Sequence, residues 1–180
     1  MSTRGAFGFV IDGVEKIGYN HLSSEFDVLG EHLVRQIRAA DLQKWRNQAR
    51  SLVIVDQNST PTAEQIEALR EFSNLTVGGG NEQDWYSLIR ELQGDMQKTL
   101  DVGYMIDSRS SLSNSLFCEY AYILNFDTWK FEVYKGWQRS KHDKGRYGQS
   151  KLVGGYGGVA LVGEFVPDFI PEDWIAQINM

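Results

Sequence analysis

Two apolar-rich segments open the chain, and a two-residue turn sequence separates them. The segments are Gly5–Ile11 and residues 14–19, and the turn is Asp12-Gly13. Asp-Gly between two strand-like segments is a strong signal for a β-hairpin, because both residues tolerate positive φ. The pattern therefore predicts a β-hairpin at the start of the chain.

Apolar positions at helical spacing predict helices in the first half of the chain. In residues 29–50 leucine, valine, isoleucine and tryptophan fall on one face, and charged residues fall on the other. Thr62 and Gln65 have the spacing of a capping box, which predicts a second helix from that point. Asn81 is a candidate N-cap for a third helix.

Strand patterns recur later in the chain. Residues 51–56 form a short apolar run that predicts a strand buried on both faces, in one sheet with the hairpins. Residues 118–124 and 129–135 alternate apolar and polar positions, which predicts a second hairpin. Residues 157–166 predict a last strand, and Pro171 opens a short C-terminal helix.

This order of elements predicts the α+β class. We expect a mainly antiparallel sheet, built from the two hairpins and single strands and covered by three to four helices. The chain has 180 residues, of which 42% are hydrophobic and 12% aromatic, and this content is enough for a real core. We therefore expect one domain over residues 1–180.

Charge and cysteine content narrow the function classes. The formal net charge is −6, which argues against an extended nucleic-acid surface. Cys118 is the single cysteine, so an internal disulfide is excluded and a reducing cytoplasm is compatible. No apolar run reaches the length of a membrane span, and no signal-peptide pattern opens the chain. We expect a cytoplasmic protein without membrane contact.

Four residues near the start of the chain form a candidate catalytic group: Ser2, Arg4, Asn20 and His21. After loss of Met1, the Ser2 hydroxyl lies beside a free α-amine, which titrates near ~8 and can act as a general base. Arg4 is then a candidate anchor for a substrate carboxylate, and Asn20 a candidate oxyanion donor. The alternative is that these are ordinary terminal and turn residues.

The opening strand, with a hydroxyl residue before it, resembles the N-terminal-nucleophile hydrolases. In that family a chain-initiating Cys, Ser or Thr begins a strand of an antiparallel sheet. The resemblance implies amide-bond hydrolysis by Ser2. Most of the chain also resembles bacterial and phage proteins that begin M-x-T-R-G, continue G-F…D-G…K…Y-N-H…L-G and end with a hairpin like C-E-Y-A-Y-I-L-N-F-D. That second resemblance implies no particular activity.

A basic, aperiodic stretch at residues 138–150 is the other candidate site. Cationic residues lie there with an aromatic residue at each edge, and such combinations can bind anions by charge and stacking. The candidate ligand-binding residues are Trp137, Arg139, Lys141, His142, Lys144, Arg146 and Tyr147. They support a second hypothesis, a non-catalytic protein that binds a small anionic ligand or a protein partner. A solvated loop is the alternative, and outward-facing aromatics of the second hairpin are a candidate homo-oligomer face.

Two other patterns, a histidine pair and a glycine-rich stretch, do not predict a functional site. His21 and His32 lack the spacing of a metal-ligand pair, so we expect no metal site and no cofactor. The glycine-rich stretch 154–158 lacks the order of a phosphate-binding loop. It is more typical of a flexible turn.

The hydrolase hypothesis requires that Met1 is removed. Because Ser2 is small, we expect the native protein to have lost Met1, and intact mass measures this directly. A native protein that keeps Met1 quantitatively excludes Ser2 as an N-terminal nucleophile and leaves the binding hypothesis untouched.

Overall fold

A computed structural model describes residues 3–178 and contains two sheets. The larger sheet has five strands in the order β2-β1-β5-β6-β7, and the smaller one pairs β3 with β4. The strands are β1 Gly5–Ile11, β2 Val14–Asn20, β3 Val53–Val55, β4 Tyr104–Ile106, β5 Tyr120–Asn125, β6 Lys130–Lys135 and β7 Ala160–Phe165. Helices are also present, so the predicted α+β class is confirmed.

The opening hairpin forms as predicted. β1 and β2 pair in antiparallel orientation, from Ile11 opposite Val14 beside the turn to Gly5 opposite Asn20. Asp12 and Gly13 both have positive φ, of 53° and 75°, as a two-residue hairpin turn requires. The carboxylate of Asp127 accepts both turn N–H groups, at 2.8 and 2.7 Å, so the turns of the two hairpins contact each other.

The larger sheet is mixed, whereas the sequence predicted a mainly antiparallel one. β1 pairs with β5 in parallel, and the other pairs are antiparallel. The chain between β2 and β5 includes all five α-helices, and it returns to the end of the sheet from which β1 starts. A connection of that length permits parallel pairing, which a short hairpin turn does not.

The prediction for residues 51–56 was wrong in two ways. β3 is only Val53–Val55, and it pairs in parallel with β4 in the small sheet. It is not buried on both faces, because Val53 is exposed and Ile54 is partly buried. An apolar run of this length does not specify which sheet it joins.

The helices are shorter than predicted. They are α1 Glu31–Ala39, α2 Leu42–Ser51, α3 Ala63–Leu69, α4 Trp85–Leu88 and α5 Met96–Val102. The predicted helix at 29–50 is therefore two helices preceded by the π-helical turn Phe26–Gly30. The break falls at Asp41, whose carboxylate caps α2 by accepting the N–H groups of Gln43 and Lys44.

Three predicted helix starts have different outcomes. The capping box of Thr62 and Gln65 is present at the start of α3, as predicted. Asn81 is not an N-cap; Asp84 caps the short α4 instead. The predicted C-terminal helix is the 3₁₀ turn Trp174–Gln177 rather than an α-helix opened by Pro171.

Both faces of the five-stranded sheet are buried. On one face Phe7, Tyr122 and Phe131 pack under α1 and α2, together with Trp174. On the other face the residues are smaller, and the chain that covers them is irregular. This second core contains Ala6, Val10, Ile17, Leu112, Cys118, Ala121, Ile123, Tyr134, Tyr147 and Val159.

A third cluster lies around the small sheet and α4, and includes Val55, Trp85 and Leu88. Within residues 3–178, no helix has the length and apolar content needed to cross a membrane.

Candidate functional site

The register of the first hairpin brings part of the N-terminal group together. Gly5 lies opposite Asn20, so the start of β1 is beside the end of β2. Ser2, the predicted nucleophile, lies outside the described residues. The Oγ1 of Thr3 accepts the N–H of Ser24 at 2.8 Å, which ties the chain before β1 to the loop after β2.

The side chain of Asn20 is buried and serves that loop. Its amide nitrogen donates to the carbonyl oxygen of Leu22 at 2.6 Å and to the Oγ of Ser24 at 2.8 Å. Both amide hydrogens are therefore used, and no N–H remains for a substrate oxyanion. The geometry gives Asn20 a role in holding the loop.

His21 is exposed and lies beside Tyr19. Its Nδ1 is 3.0 Å from the Tyr19 hydroxyl, and its backbone N–H donates to the Oε1 of Gln93 at 3.2 Å. Burial raises the pKa of Tyr19, so this phenol stays neutral at physiological pH.

The side chain of Arg4 stacks on an aromatic ring. Its guanidinium lies 5.2 Å from the ring centroid of Phe117, whose residue is 50% exposed. Its backbone N–H donates to the Oε1 of Glu119 at 3.2 Å. Within residues 3–178 the Arg4 guanidinium has no carboxylate partner.

Trp137 contacts the other oxygen of the same carboxylate. Its indole N–H donates to the Oε2 of Glu119 at 3.2 Å, and its backbone has a φ of +62°. A bulky residue rarely adopts that conformation. Before it, a Cβ on Gly136 would lie 2.1 Å from the carbonyl oxygen of Cys118. Only glycine fits there, so the direction of Trp137 is fixed by backbone packing.

Arg139 and Tyr156 continue this surface. The rings of Trp137 and Tyr156 meet edge to face with centroids 5.7 Å apart, and the Arg139 guanidinium lies 5.2 Å from the Tyr156 centroid. We define the aromatic–arginine surface as Arg4, Phe117, Trp137, Arg139 and Tyr156. It joins one residue of the predicted catalytic group to two residues of the predicted ligand-binding group.

The rest of the basic stretch is an ordered loop. Lys141 and Lys144 are exposed. The Nε2 of His142 is 3.0 Å from the carbonyl oxygen of Gly158, and its Nδ1 accepts the backbone N–H of Lys144 at 3.2 Å. These two contacts fix the His142 ring and the loop around it.

Arg146 is paired with carboxylates of the sheet, although its side chain is 35% exposed. Its guanidinium donates to both oxygens of Glu132, at 3.1 and 2.6 Å, and to Glu15 at 2.9 Å. Glu132 is only 5% exposed, in the middle of β6. We call Arg146, Glu15, Glu132, Tyr134 and Tyr147 the ion cluster.

The two tyrosines complete the ion cluster. The Tyr147 hydroxyl donates to Glu15 at 2.6 Å, and the Tyr134 hydroxyl donates to Glu132 at 2.9 Å. Burial raises the pKa of both phenols. Burial opposes the charge on Arg146, but hydrogen bonds to Tyr147 and Glu132 outweigh it and raise its pKa. Arg146 and Tyr147 therefore hold the loop against the sheet and are not available to a ligand.

Cys118 is not an activated nucleophile. The side chain is fully buried, and burial raises the pKa of its thiol to about 12. Among residues 3–178, no three His, Cys, Asp or Glu side chains are close enough together to hold a metal ion.

The residues that sequence reasoning missed are Phe117, Glu119 and Tyr156. Phe117 and Glu119 precede β5, and Tyr156 lies between glycines in the stretch that the sequence marked as a turn. No local pattern connects them, because their contacts span up to 115 residues.

Comparison of the chain with protein-family models, curated proteins and solved structures gave no match. The two resemblances seen in the sequence therefore stay predictions.

The ion cluster predicts a specific loss of stability. We expect Arg146→Met to lower the free energy of unfolding by about 2 kcal/mol, because it leaves the Glu132 carboxylate buried without its cation. The double variant Glu132→Met/Arg146→Met should recover much of that loss. Urea unfolding monitored by circular dichroism measures both.

The matched control is an exposed pair of similar geometry. Arg50 and Asp12 are 2.8 Å apart but 41% and 58% exposed, so Arg50→Met should cost less than ~1 kcal/mol. If Arg146→Met cost no more than Arg50→Met, the ion cluster would not hold the loop.

Proposed function

We propose that the protein is a non-catalytic binding protein whose aromatic–arginine surface takes a small anionic ligand with a planar ring. The observation that carries this proposal is a pair of arginines with no carboxylate partner in residues 3–178, one stacked on the exposed ring of Phe117 and the other on the partly buried ring of Tyr156. Guanidinium groups in that state are suited to bidentate contacts with phosphate or carboxylate.

The rings of this surface supply the second part of recognition. Trp137 is 44% exposed and Phe117 is 50% exposed, so both offer ring area to a ligand. Base–aromatic stacking is worth about 1–3 kcal/mol per ring. The strained backbone of Trp137 supports the same proposal, because such strain concentrates at binding and catalytic sites.

The surface fits a small ligand better than a polymer. The net charge of −6 repels a long polyanion, and the one cation of the ion cluster, Arg146, is already paired with two carboxylates. A nucleoside monophosphate has the required size, ring and charge. We further propose a reducing, cytoplasmic setting, in which the buried thiol of Cys118 stays unpaired.

Isothermal titration with the four nucleoside 5′-monophosphates tests this proposal. We expect at least one to bind, and Trp137→Ala to weaken binding about tenfold through loss of stacking. Arg139→Gln should weaken it to a similar extent, and affinity should fall with added salt, because exposed charges are screened.

Two controls separate specific binding from general attraction. Arg35 is exposed and has no carboxylate partner in residues 3–178, so Arg35→Gln matches Arg139→Gln in charge and should bind as wild type. Inorganic phosphate, which has no ring, should bind more weakly than the nucleotides. Equal affinity of the wild type, Trp137→Ala and Arg139→Gln would contradict the proposal.

Amide hydrolysis by Ser2 is the second proposal. It is supported by the hairpin register, which brings Gly5 at the start of β1 beside Asn20. In this mechanism the α-amine of Ser2 accepts the hydroxyl proton while the oxygen attacks the amide carbon, and the amine of the substrate leaves with that proton. Water then gives a proton to the α-amine and its oxygen attacks the ester carbon of the acyl-enzyme, so the carboxylic acid leaves and Ser2 regains its hydroxyl proton. Since Asn20 has no hydrogen left to donate, backbone N–H groups must stabilise the oxyanion.

Covalent labelling tests the hydrolase proposal without a known substrate. A β-lactone probe acylates an activated N-terminal hydroxyl, so mass spectrometry of the wild type should find the label on the first peptide. Ser2→Ala should remove that label, and Ser23→Ala, an exposed serine near the hairpin, should keep it. A wild-type protein that stays unlabelled after loss of Met1 would rule the hydrolase out.

A further inference from the structure

A cavity of about 390 Å³ lies between the outer edge of β2 and the end of β4. Its volume falls in the range of roughly 300–1,000 Å³ that small-molecule sites occupy. None of the residues that the sequence marked as candidates lines it, and the aromatic–arginine surface does not contribute to it.

The position of the cavity explains why polar groups meet there. β3 and β4 are parallel, so the segments after both strands leave the small sheet at the same edge. Gln57 follows β3, and Asp107 and Ser108 follow β4 directly. In open parallel sheets, ligands bind outside the carboxyl ends of the strands for this reason.

Four polar side chains in the cavity wall have unused hydrogen-bonding capacity. They are Gln57, Tyr86, Tyr104 and Ser110. In residues 3–178 none of these four side chains has a hydrogen-bond partner. Two of the four are phenols, so the wall offers aromatic faces and polar groups together, while Ile89, Leu92 and Met105 supply its apolar part.

The cavity wall carries no unpaired charge. Apart from tyrosines, Asp107 is the single ionisable residue that lines the cavity. The Asp107 carboxylate accepts hydrogen bonds from Nε of Arg109 at 2.9 Å and from Nη2 of Arg109 at 2.7 Å. These hydrogen bonds hold the pKa of Asp107 below its usual value. The Arg90 guanidinium lies 5.9 Å from the Tyr86 ring centroid, but Arg90 does not line the cavity. A charged ligand would therefore lose its water without meeting an unpaired charge in the wall, so the wall favours an uncharged ligand.

We propose that this cavity binds an uncharged heteroaromatic molecule of nucleoside size. Its ring packs on the aromatic and apolar wall, and its hydrogen-bonding groups face Gln57, Ser110 and the hydroxyls of Tyr86 and Tyr104. The site is separate from the aromatic–arginine surface. It selects an uncharged ligand rather than an anionic one, so either proposal can fail without the other.

Titration calorimetry with adenosine, guanosine, cytidine and uridine tests the site. We expect at least one nucleoside to bind the wild type. Ser110→Trp should abolish that binding, because an indole would fill the cavity from its exposed rim. The double variant Tyr86→Phe/Tyr104→Phe keeps both rings and removes two hydroxyls, so it should weaken binding about tenfold or more.

Matched control variants test whether the nucleoside binds in the cavity. Tyr120 lies outside the cavity, and its hydroxyl has no hydrogen-bond partner in residues 3–178, so Tyr120→Phe should bind as wild type. Trp137→Ala should also bind as wild type, because it changes only the aromatic–arginine surface. Thermal melts by circular dichroism check that each variant is folded, and if Ser110→Trp is not, the double tyrosine variant decides.

Three results would overturn the proposal. One is that none of the four nucleosides binds the wild type. Another is that the folded double tyrosine variant binds with wild-type affinity. The third is loss of nucleoside binding in Trp137→Ala, which would place the ring on the aromatic–arginine surface instead.

Discussion

The parallel pairing of β1 with β5 is the contact on which the rest of this structure depends. β1 lies inside the sheet, every one of its residues is buried, and it joins the first hairpin to the second. In this register Gly5 lies beside Tyr120, and the segments before the two strands run next to each other. Glu119 therefore reaches both the Arg4 backbone and the Trp137 indole.

The ion cluster fixes the irregular chain that covers one face of the sheet. This face has small residues on β1 and β5, and no α-helix covers it. The loop contributes Tyr147 to the apolar core on this face, and the polar contacts of the ion cluster add to that packing. Arg146 reaches Glu132 in the middle of β6 and Glu15 on the edge strand β2, and thus ties the loop to two strands on opposite sides of β1 and β5.

The same arginine-rich segment supplies one paired and one unpaired guanidinium, and the surroundings of each arginine set its role. Arg146 has two carboxylate partners and two phenols around it, so its charge is used within the fold. Arg139 has an aromatic ring and solvent, so its charge is available to an anion. The cavity beside β4 has neither property, since its acid is paired and its other polar groups are neutral.

By itself the sequence determined the local features of this protein. The Asp12-Gly13 turn, the capping box at Thr62 and both hairpins follow from contacts between residues close in the chain, whose geometry each residue type restricts. The tertiary structure alone decided that β1 and β5 are parallel and that β3 lies outside the main sheet. It also decided that Arg146 pairs with Glu15 and Glu132 and that Arg4 and Trp137 share Glu119. Those contacts join segments up to 131 residues apart, and their free energy depends on which surfaces are buried together. The local sequence of an arginine or a short apolar run is the same whether the packed chain buries it or leaves it exposed. Burial and contact partners are properties of the packed chain.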